Sequence, residues 1–148
     1  MSEQSRAPYR MTGTLEVELP PEEALRLFTA RGERDWVDGW DPRFPADTPD
    51  DTAPGTVFQT DVHGERTTWV VAERDAGRRI SYARVTPDSR AGTVTVELRP
   101  SERGSLVTVT YVLTALSDDA RPELESFAAG YPEFLRGWQE AIAARASG

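Results

Sequence analysis

Three side chains spaced two residues apart can form the polar end of an apolar binding site. Ile80, Tyr82 and Arg84 alternate along one segment, and residues that alternate along a strand point to the same face of a sheet. If Ile80 faces the interior, the guanidinium of Arg84 is buried with it, and a buried charge without a partner is costly. We therefore expect Arg84 to bind either Glu97 on the next strand or an anionic ligand group, such as a carboxylate, phosphate or enolate.

Tyr82 and Tyr111 are the other candidates for chemistry. Their hydroxyl groups can donate hydrogen bonds to a carbonyl and so stabilise an enolate, which makes Tyr82, Arg84 and Tyr111 the candidate catalytic residues. The opposite orientation of the strand stays open, because Ala83 and Val85 would then face inward and Arg84 would be solvated. Each tyrosine can equally bury its ring and leave its hydroxyl at the surface.

Two acidic clusters have the residue types of a metal site, but turn signals explain both. Asp61, His63 and Glu65 alternate and would share one face of a strand. Gly64 interrupts this run, which favours a solvated turn. The second cluster consists of Asp35, Asp38 and Asp41. Its carboxylates suit a hard cation, yet aspartates beside glycine and proline more often cap turns. The sequence therefore predicts no metal site.

The composition excludes several classes of chemistry. The 148 residues contain no cysteine, and all 17 basic residues are arginine because lysine is absent too. Thiolate metal ligands, cysteine nucleophiles and a Schiff-base or P-loop lysine are thereby excluded. His63 is the single histidine, and no serine stands in the Gly-x-Ser-x-Gly motif of hydrolases. We expect no cofactor.

Charge and hydropathy limit the partners and the location. The net charge is −8 at pH 7, which works against nucleic acid or an anionic membrane as a partner. No apolar run approaches the roughly 18 residues of a membrane span, and residues 1–8 are too polar for a signal peptide. We expect a cytoplasmic protein whose partner is a small hydrophobic molecule. The sequence does not specify an oligomeric state.

Predicted strands and helices must position these candidates. Residues 9–19 alternate in polarity, as a half-buried strand does. Residues 20–38 predict a pair of short helices, and prolines mark a loop from 39 to 54. Turn signals at short intervals then divide residues 55–116 into antiparallel strands. These strands are predicted over residues 56–62, 66–74, 79–86, 93–99 and 105–116.

The C-terminal residues predict one long helix. Ser117 begins an N-cap cluster, and apolar residues then recur every three or four positions from 120 to 146. Pro132 is expected to bend this helix, with Gly130 loosening the same turn. An antiparallel sheet with one apolar face must be covered, and this helix can cover it. The sequence therefore predicts an α+β fold of order β-α-α-β5-α, in which a curved sheet of about six strands wraps around the helix.

Aromatic residues fall where such a sheet and helix would face each other. Their spacing fits either a solid core or a cavity lined by flat rings and suited to a planar or lipid-like ligand. Trp40 and Phe44 lie in the loop and are expected to fold back onto the core. The candidate ligand-binding residues are Trp36, Trp40, Phe58, Trp69, Tyr82, Arg84, Tyr111, Phe127, Tyr131, Phe134 and Trp138.

Several short motifs, taken with the element order, carry a family resemblance. The motifs are Asp35-Trp36-Val37-Asp38-Gly39-Trp40, Gly55-Thr56-Val57-Phe58, Trp69-Val70-Val71, Ile80-Ser81-Tyr82 and Val109-Thr110-Tyr111. Over residues 9–145 the chain resembles the SRPBCC superfamily, whose helix-grip or START-like fold includes birch-pollen-allergen relatives, polyketide aromatase/cyclases and lipid-transfer domains. The resemblance implies an apolar cavity between sheet and helix. We expect one domain, residues 9–146, after a flexible segment, residues 1–8.

Three functions fit this resemblance, because the superfamily hosts several activities on one scaffold. The first is binding of a small hydrophobic or aromatic molecule, with Arg84 and the tyrosines orienting its polar end. The second is a polyketide cyclase/dehydratase-like enzyme that uses Tyr82, Arg84 or a carboxylate for proton transfer. The third is a protein-interaction module similar to the chaperone-activator branch. A raised carboxyl pKa in the cavity would favour the enzyme, and exposed apolar patches would favour the interaction module.

Overall fold

Six strands form one antiparallel sheet. A computed structural model describes residues 7–147, so most of the segment expected to be flexible lies outside the described residues. The strand order across the sheet is β1-β6-β5-β4-β3-β2. The strands are β1 (Tyr9–Val17), β2 (Val57–Val62), β3 (Glu65–Asp75), β4 (Arg79–Thr86), β5 (Arg90–Ser101) and β6 (Gly104–Ala115). The predicted α+β helix-grip fold is confirmed.

The two faces of the sheet differ as the alternation predicts. Val94 and Val96 of β5 and Val109 of β6 point inward and are buried. The outer face carries short polar side chains, and the hydroxyl groups of Thr12 and Thr110 on the paired strands β1 and β6 are 2.8 Å apart. Branched residues suit both faces of a pleated sheet. The apolar face is therefore the one that the remaining elements must cover.

The C-terminal residues form two helices rather than one bent helix. They are α2 (Arg121–Ala129) and α3 (Tyr131–Ser147). Gly130 lies between them, and its amide donates a 2.9 Å hydrogen bond to the carbonyl of Ser126. Pro132 is the second residue of α3, where an amide proton would have no partner within the helix. The proline therefore begins a helix here and does not bend one. Across residues 7–147, no helix is long and apolar enough to cross a bilayer.

Helix α3 lies against β1, at the edge of the sheet. A Cβ atom at Gly13 of β1 would lie 2.7 Å from Cδ1 of Leu135, so the missing side chain lets the helix approach the strand closely. The backbone amide of Glu16 donates a 2.8 Å hydrogen bond to Oε1 of Gln139. These contacts fix α3 at one side of the inner face.

The helical region after β1 is shorter and more tightly wound than predicted. It consists of α1 (Pro21–Leu25) and two 3₁₀ helices, Arg26–Phe28 and Gly32–Asp35. The second 3₁₀ helix takes the place of the second of the two short helices expected within residues 20–38. A 3₁₀ helix has three residues per turn and poorer hydrogen-bond geometry than an α-helix, so it forms only short runs. These elements therefore act as connectors that carry side chains toward the sheet.

The loop that follows protects the free edge of β2. The backbone groups of Arg43 pair in both directions with those of Gln59, each at 2.8 Å. Trp40 and Phe44 fold back onto Phe58, with ring centroids 6.3 and 5.9 Å away, as the sequence predicts. The loop thereby supplies aromatic surface to the inner face.

Candidate functional site

Aromatic side chains form one cluster on the sheet side of the molecule. Phe58 and Trp69 are paired residues of β2 and β3, and their rings stack at 5.6 Å with planes 4° apart. Tyr82 of β4 meets both rings edge-on, at 6.0 and 6.1 Å. Trp40 contacts Trp69 at 5.7 Å. We call Trp40, Phe44, Phe58, Trp69 and Tyr82 the sheet cluster.

A second aromatic cluster joins β6 to the C-terminal helices. Phe127 of α2 and Phe134 of α3 are 4.9 Å apart, and Tyr111 of β6 contacts them at 5.2 and 6.0 Å. Phe134 also contacts Trp138 at 5.0 Å. The helix cluster consists of Phe28, Trp36, Tyr111, Phe127, Tyr131, Phe134 and Trp138. Within the described part of the chain, rings of this cluster pair with one another and not with those of the sheet cluster.

A cavity of about 270 Å³ lies between the two clusters. From the sheet cluster it is lined by Trp40, Phe58, Trp69 and Tyr82. From the helix cluster it is lined by Tyr111, Phe134 and Trp138. Val94 and Val96 of β5 form its floor. The charged side chains in its wall are Glu33, Asp38, Glu65, Arg84 and Arg90. The rings therefore surround a hollow and do not fill it.

A wider cleft of about 840 Å³ adjoins the cavity and shares part of its wall. Six residues line both spaces: His63, Glu65, Arg84, Arg90, Tyr111 and Phe134. Phe127 lines the cleft but not the cavity, so this predicted ligand-binding residue lies outside the cavity. The shared residues mark the position where the cavity meets the cleft.

Trp36 and Tyr131 line neither space, contrary to the expectation from sequence. The indole nitrogen of Trp36 donates a 2.8 Å hydrogen bond to the carbonyl of Leu27. The hydroxyl of Tyr131 donates a 2.7 Å hydrogen bond to the carbonyl of Val109. Both side chains are buried, and the indole nitrogen and the hydroxyl donate hydrogen bonds to backbone carbonyls. They join the helical segments to the core.

Arg84 faces inward with Tyr82, whereas Val85 is on the outer face and 38% exposed. The alternative orientation of β4 is therefore wrong. The expected pairing of Arg84 with Glu97 is wrong too, because Arg84 is opposite Gly92 in the register and Glu97 is opposite Arg79. Since successive side chains alternate between faces, Glu97 points to the outer side.

The guanidinium of Arg84 is held by one ring and one hydroxyl. Its Cζ lies 4.7 Å from the centroid of the Trp69 ring, within the range of a cation–π interaction. Nη2 donates a 3.2 Å hydrogen bond to Oγ1 of Thr86. Nε is buried, and no acceptor lies near it in the described chain. Burial lowers the pKa of Arg84, but a guanidinium keeps its charge in proteins.

The two candidate catalytic tyrosines differ in what their hydroxyl groups do. Tyr82 donates a 2.7 Å hydrogen bond to the carbonyl of Phe28. No such bond engages the hydroxyl of Tyr111 within residues 7–147, and its ring lines the cavity. Burial raises the pKa of Tyr82 and of Tyr111 above the ordinary value, and the charge of Glu33 also raises both. The positive charge of Arg84 acts in the opposite direction and lowers the pKa of Tyr111. Of these two tyrosines, Tyr111 is therefore the one whose hydroxyl is not engaged within residues 7–147.

Glu33 is a cavity residue that the sequence reasoning missed. It is half-buried on the second 3₁₀ helix and lines the cavity. Burial raises the pKa of its carboxyl group from 4.5 to about 8. A four-residue 3₁₀ helix is too short for a periodic pattern to reveal its inner face, so no sequence signal identifies this residue.

Local backbone contacts position Glu33. The hydroxyl of Thr29 donates to the carbonyl of Arg26 at 2.9 Å and accepts from the amide of Gly32 at 3.0 Å. A Cβ atom at Gly32 would lie only 1.7 Å from the Arg26 carbonyl oxygen. Because only glycine fits here, the chain can pass this close to the Arg26 carbonyl just before Glu33.

Arginines pair with three aspartates of the two acidic clusters. Asp61 pairs with Arg43 at 2.5 Å and with Arg66 at 3.2 Å. His63 and Gly64 have φ angles of 53° and 81°, which form the predicted turn. Asp35 and Asp41 pair with Arg145 and Arg34, each at 3.6 Å. Residues 7–147 contain no group of three potential ligands arranged for a metal ion.

Solved structures share this architecture. Protein MLL2253 from Mesorhizobium loti is 17% identical, with a TM-score of 0.69 over 92% of this chain and 98% of that one. Mll3558 from Rhizobium loti is 27% identical, with a TM-score of 0.61 over 94% and 99%. The Aha1 dimer from Colwellia psychrerythraea is 12% identical, with a TM-score of 0.65 over 90% and 96%. At such identities the likeness establishes the fold.

The match to a protein family is more specific than the likeness of folds. No curated protein matches the chain. Residues 8–143 match the family described as polyketide cyclase/dehydrase and lipid transport. The match covers nearly all of the described residues, including both aromatic clusters and the cavity between them. The chain therefore belongs to the polyketide cyclase/dehydrase and lipid transport family.

Proposed function

We propose that the protein binds a small hydrophobic or aromatic molecule in the cavity between the sheet and α3. The observation that carries this proposal is the hollow of about 270 Å³ between two aromatic clusters. Ligand sites of this kind are concave, mostly apolar and supplied with a few polar groups. Arg84 and the free hydroxyl of Tyr111 are such groups. The cytoplasmic location expected from the sequence stays a prediction.

Filling the cavity tests this proposal. Val96 is buried on β5 and lines the hollow, so Val96→Phe places a ring in the space that a ligand would occupy. We expect the wild type to bind the neutral probe N-phenyl-1-naphthylamine with a rise in fluorescence, and the folded variant to lose that binding. Thr93→Phe adds the same ring on the exposed face of β5 and should bind as the wild type does. Unchanged binding by Val96→Phe contradicts the proposal.

A second candidate function, proton-transfer catalysis of the cyclase/dehydratase type, is favoured by Glu33. With a pKa of about 8, its carboxyl group can take and return a proton near neutral pH. In an aldol closure the carboxylate would remove the α proton of a ketone, and the enolate carbon would bond to a second carbonyl. The protonated carboxyl would then return the proton to the new alkoxide, and loss of water would complete a dehydration.

Deuterium exchange tests this chemistry without requiring the natural substrate. The methyl protons of 2-acetonaphthone exchange with D₂O through an enolate, which proton NMR follows. We expect the wild type to accelerate the exchange and Glu33→Gln to remove the acceleration. An exchange rate equal to that of buffer alone rejects the enzyme and leaves the binding proposal intact.

The protein-interaction alternative has no comparable support. Among the described residues, Val57, Val85 and Leu116 are the large apolar side chains that are exposed. They lie on β2, on β4 and after β6. Interaction sites usually present contiguous apolar patches, so we do not propose this function.

A further inference from the structure

We propose that the ligand is an apolar carboxylic acid and that Arg84 binds its carboxylate where the cavity meets the cleft. This inference rests on the proposed function, because it specifies the class of molecule that the cavity holds. Aromatic rings alone do not distinguish a neutral molecule from a charged one of the same shape. The charged groups in the cavity wall therefore decide whether a neutral or a charged ligand binds more tightly.

Arg84 differs from the other partly buried arginines in lacking a carboxylate partner. Arg79, Arg90 and Arg121 are also less than fully exposed, and each has a carboxylate oxygen at 3.4–3.7 Å. Arg84 has none at that range within residues 7–147. A guanidinium has five N–H donors, and within the described part of the chain one hydrogen bond, to Thr86, engages them. Because burying an unpaired charge is costly, an anion supplied by a ligand completes the site.

The position of Arg84 leaves room for the rest of the ligand. Its side chain lines both the cavity and the cleft, and the Trp69 ring lies 4.7 Å from Cζ of its guanidinium. Carboxylates bind such a planar group through two parallel hydrogen bonds. A carboxylate at Arg84 thus leaves the apolar body of the acid between the two aromatic clusters.

Neighbouring charges favour a ligand with a single negative charge. Arg90 lies at the same junction, but Glu65 and Glu123 approach it at 3.7 and 3.8 Å. These two acidic groups already offset Arg90. Within residues 7–147, Arg84 is the arginine at this junction that has no carboxylate within salt-bridge distance, although the charge of Glu65 also acts on it from farther away. A dianionic phosphate would carry one charge too many and would be repelled by Glu65. A monoanionic carboxylate matches the site.

Two nearly identical probes test the charge requirement. 2-Naphthoate and 2-naphthamide share the same ring system and differ in the charge of one small group. Isothermal titration of the wild type should show naphthoate binding about tenfold more tightly, as expected for a hydrogen-bonded charge pair. 2-Naphthyl phosphate should bind more weakly than naphthoate, and tighter binding of the phosphate would overturn the assignment of a single charge.

Variants identify the residue responsible for the preference for naphthoate over naphthamide. Arg84→Met keeps a long side chain against Trp69 but removes the charge, so naphthoate should lose about tenfold in affinity while naphthamide is unaffected. Arg79→Met is the matched control, because Arg79 is on the same strand but pairs with Glu97 on the outer side. It should keep the preference for naphthoate. A preference that survives in Arg84→Met overturns the role of Arg84.

The wild-type measurements also separate this inference from the proposed function. Equal affinity for naphthoate and naphthamide overturns the inference and leaves the proposed function standing. If naphthoate, naphthamide and N-phenyl-1-naphthylamine all fail to bind, the proposed function itself is overturned. If Arg84→Met does not fold, Arg84→Lys replaces it. Lysine keeps the charge without the planar pair of donors, and it should reduce the preference for naphthoate without abolishing it.

Discussion

The hydroxyl of Tyr82 donates a 2.7 Å hydrogen bond to the backbone carbonyl of Phe28, 54 residues away in the chain. This bond joins the first 3₁₀ helix to the centre of the sheet. The second 3₁₀ helix follows within a few residues and carries Glu33 to the cavity wall. Tyr82 therefore acts on the site by positioning another element, and its proton is not free for a ligand.

Replacing the two cavity tyrosines by phenylalanine should separate their roles. Tyr82→Phe leaves the carbonyl of the buried Phe28 without its donor and should lower the free energy of unfolding by about 1–3 kcal/mol. Tyr111→Phe removes a hydroxyl that bonds to nothing in residues 7–147 and should change it by less than about 0.5 kcal/mol. Urea unfolding of both variants measures the difference. Equal losses would contradict the distinction.

The raised pKa of Glu33 makes stability depend on pH. A carboxyl with a pKa of 4.5 when unfolded and about 8 when folded binds its proton more tightly in the folded state. Its contribution therefore favours folding at low pH and is lost as the pH rises from about 4.5 to about 8. Glu33→Gln should flatten this part of the stability profile and should be more stable than the wild type above pH 8.

Urea unfolding at several pH values tests the effect of Glu33, and Glu23→Gln, which changes an exposed carboxyl group of α1, serves as the control. The control variant should follow the wild-type profile. Carbon NMR of the Glu33 side chain gives the pKa directly. A midpoint near 4.5 would show that the cavity does not favour the protonated form.

Two glycine-to-alanine substitutions should have opposite effects. Gly32→Ala forces a methyl group against the Arg26 carbonyl, where an added Cβ would lie 1.7 Å away, and should cost about 1–3 kcal/mol. Gly137 lies in α3 with nothing within 4 Å of an added Cβ, so Gly137→Ala should stabilise the protein by up to about 1 kcal/mol. Thermal unfolding followed by circular dichroism compares the two, and stabilisation by Gly32→Ala would rule out the tight turn.

The position of Pro132 at the start of α3 predicts that proline is dispensable there. Pro132→Ala should change the free energy of unfolding by less than about 0.5 kcal/mol, since this position needs no amide donor. Ala141→Pro places proline in the interior of the same helix and should cost about 3 kcal/mol. A large loss from Pro132→Ala would mean that the proline shapes the junction between α2 and α3.

Strand positions could be predicted closely because alternation has a period of two. The predicted strand 79–86 coincides with β4 (Arg79–Thr86), and Ile80, Tyr82 and Arg84 share a face as expected. The partner of Arg84 could not be predicted in the same way. The register of β4 and β5 decides it, and a shift of one residue would bring different side chains into contact.

The amino-acid sequence alone determined the strand pattern, the absence of thiol and lysine chemistry, and a set of aromatic residues on the inner face. Polarity patterns and composition are local properties, so they can be read without knowing what lies across the core. Tertiary structure alone decided that the rings form two clusters with a hollow between them. It also turned Trp36 and Tyr131 toward backbone carbonyls and brought Glu33 into the wall. Those outcomes depend on how distant segments fill space together, and close packing is a property of the whole fold.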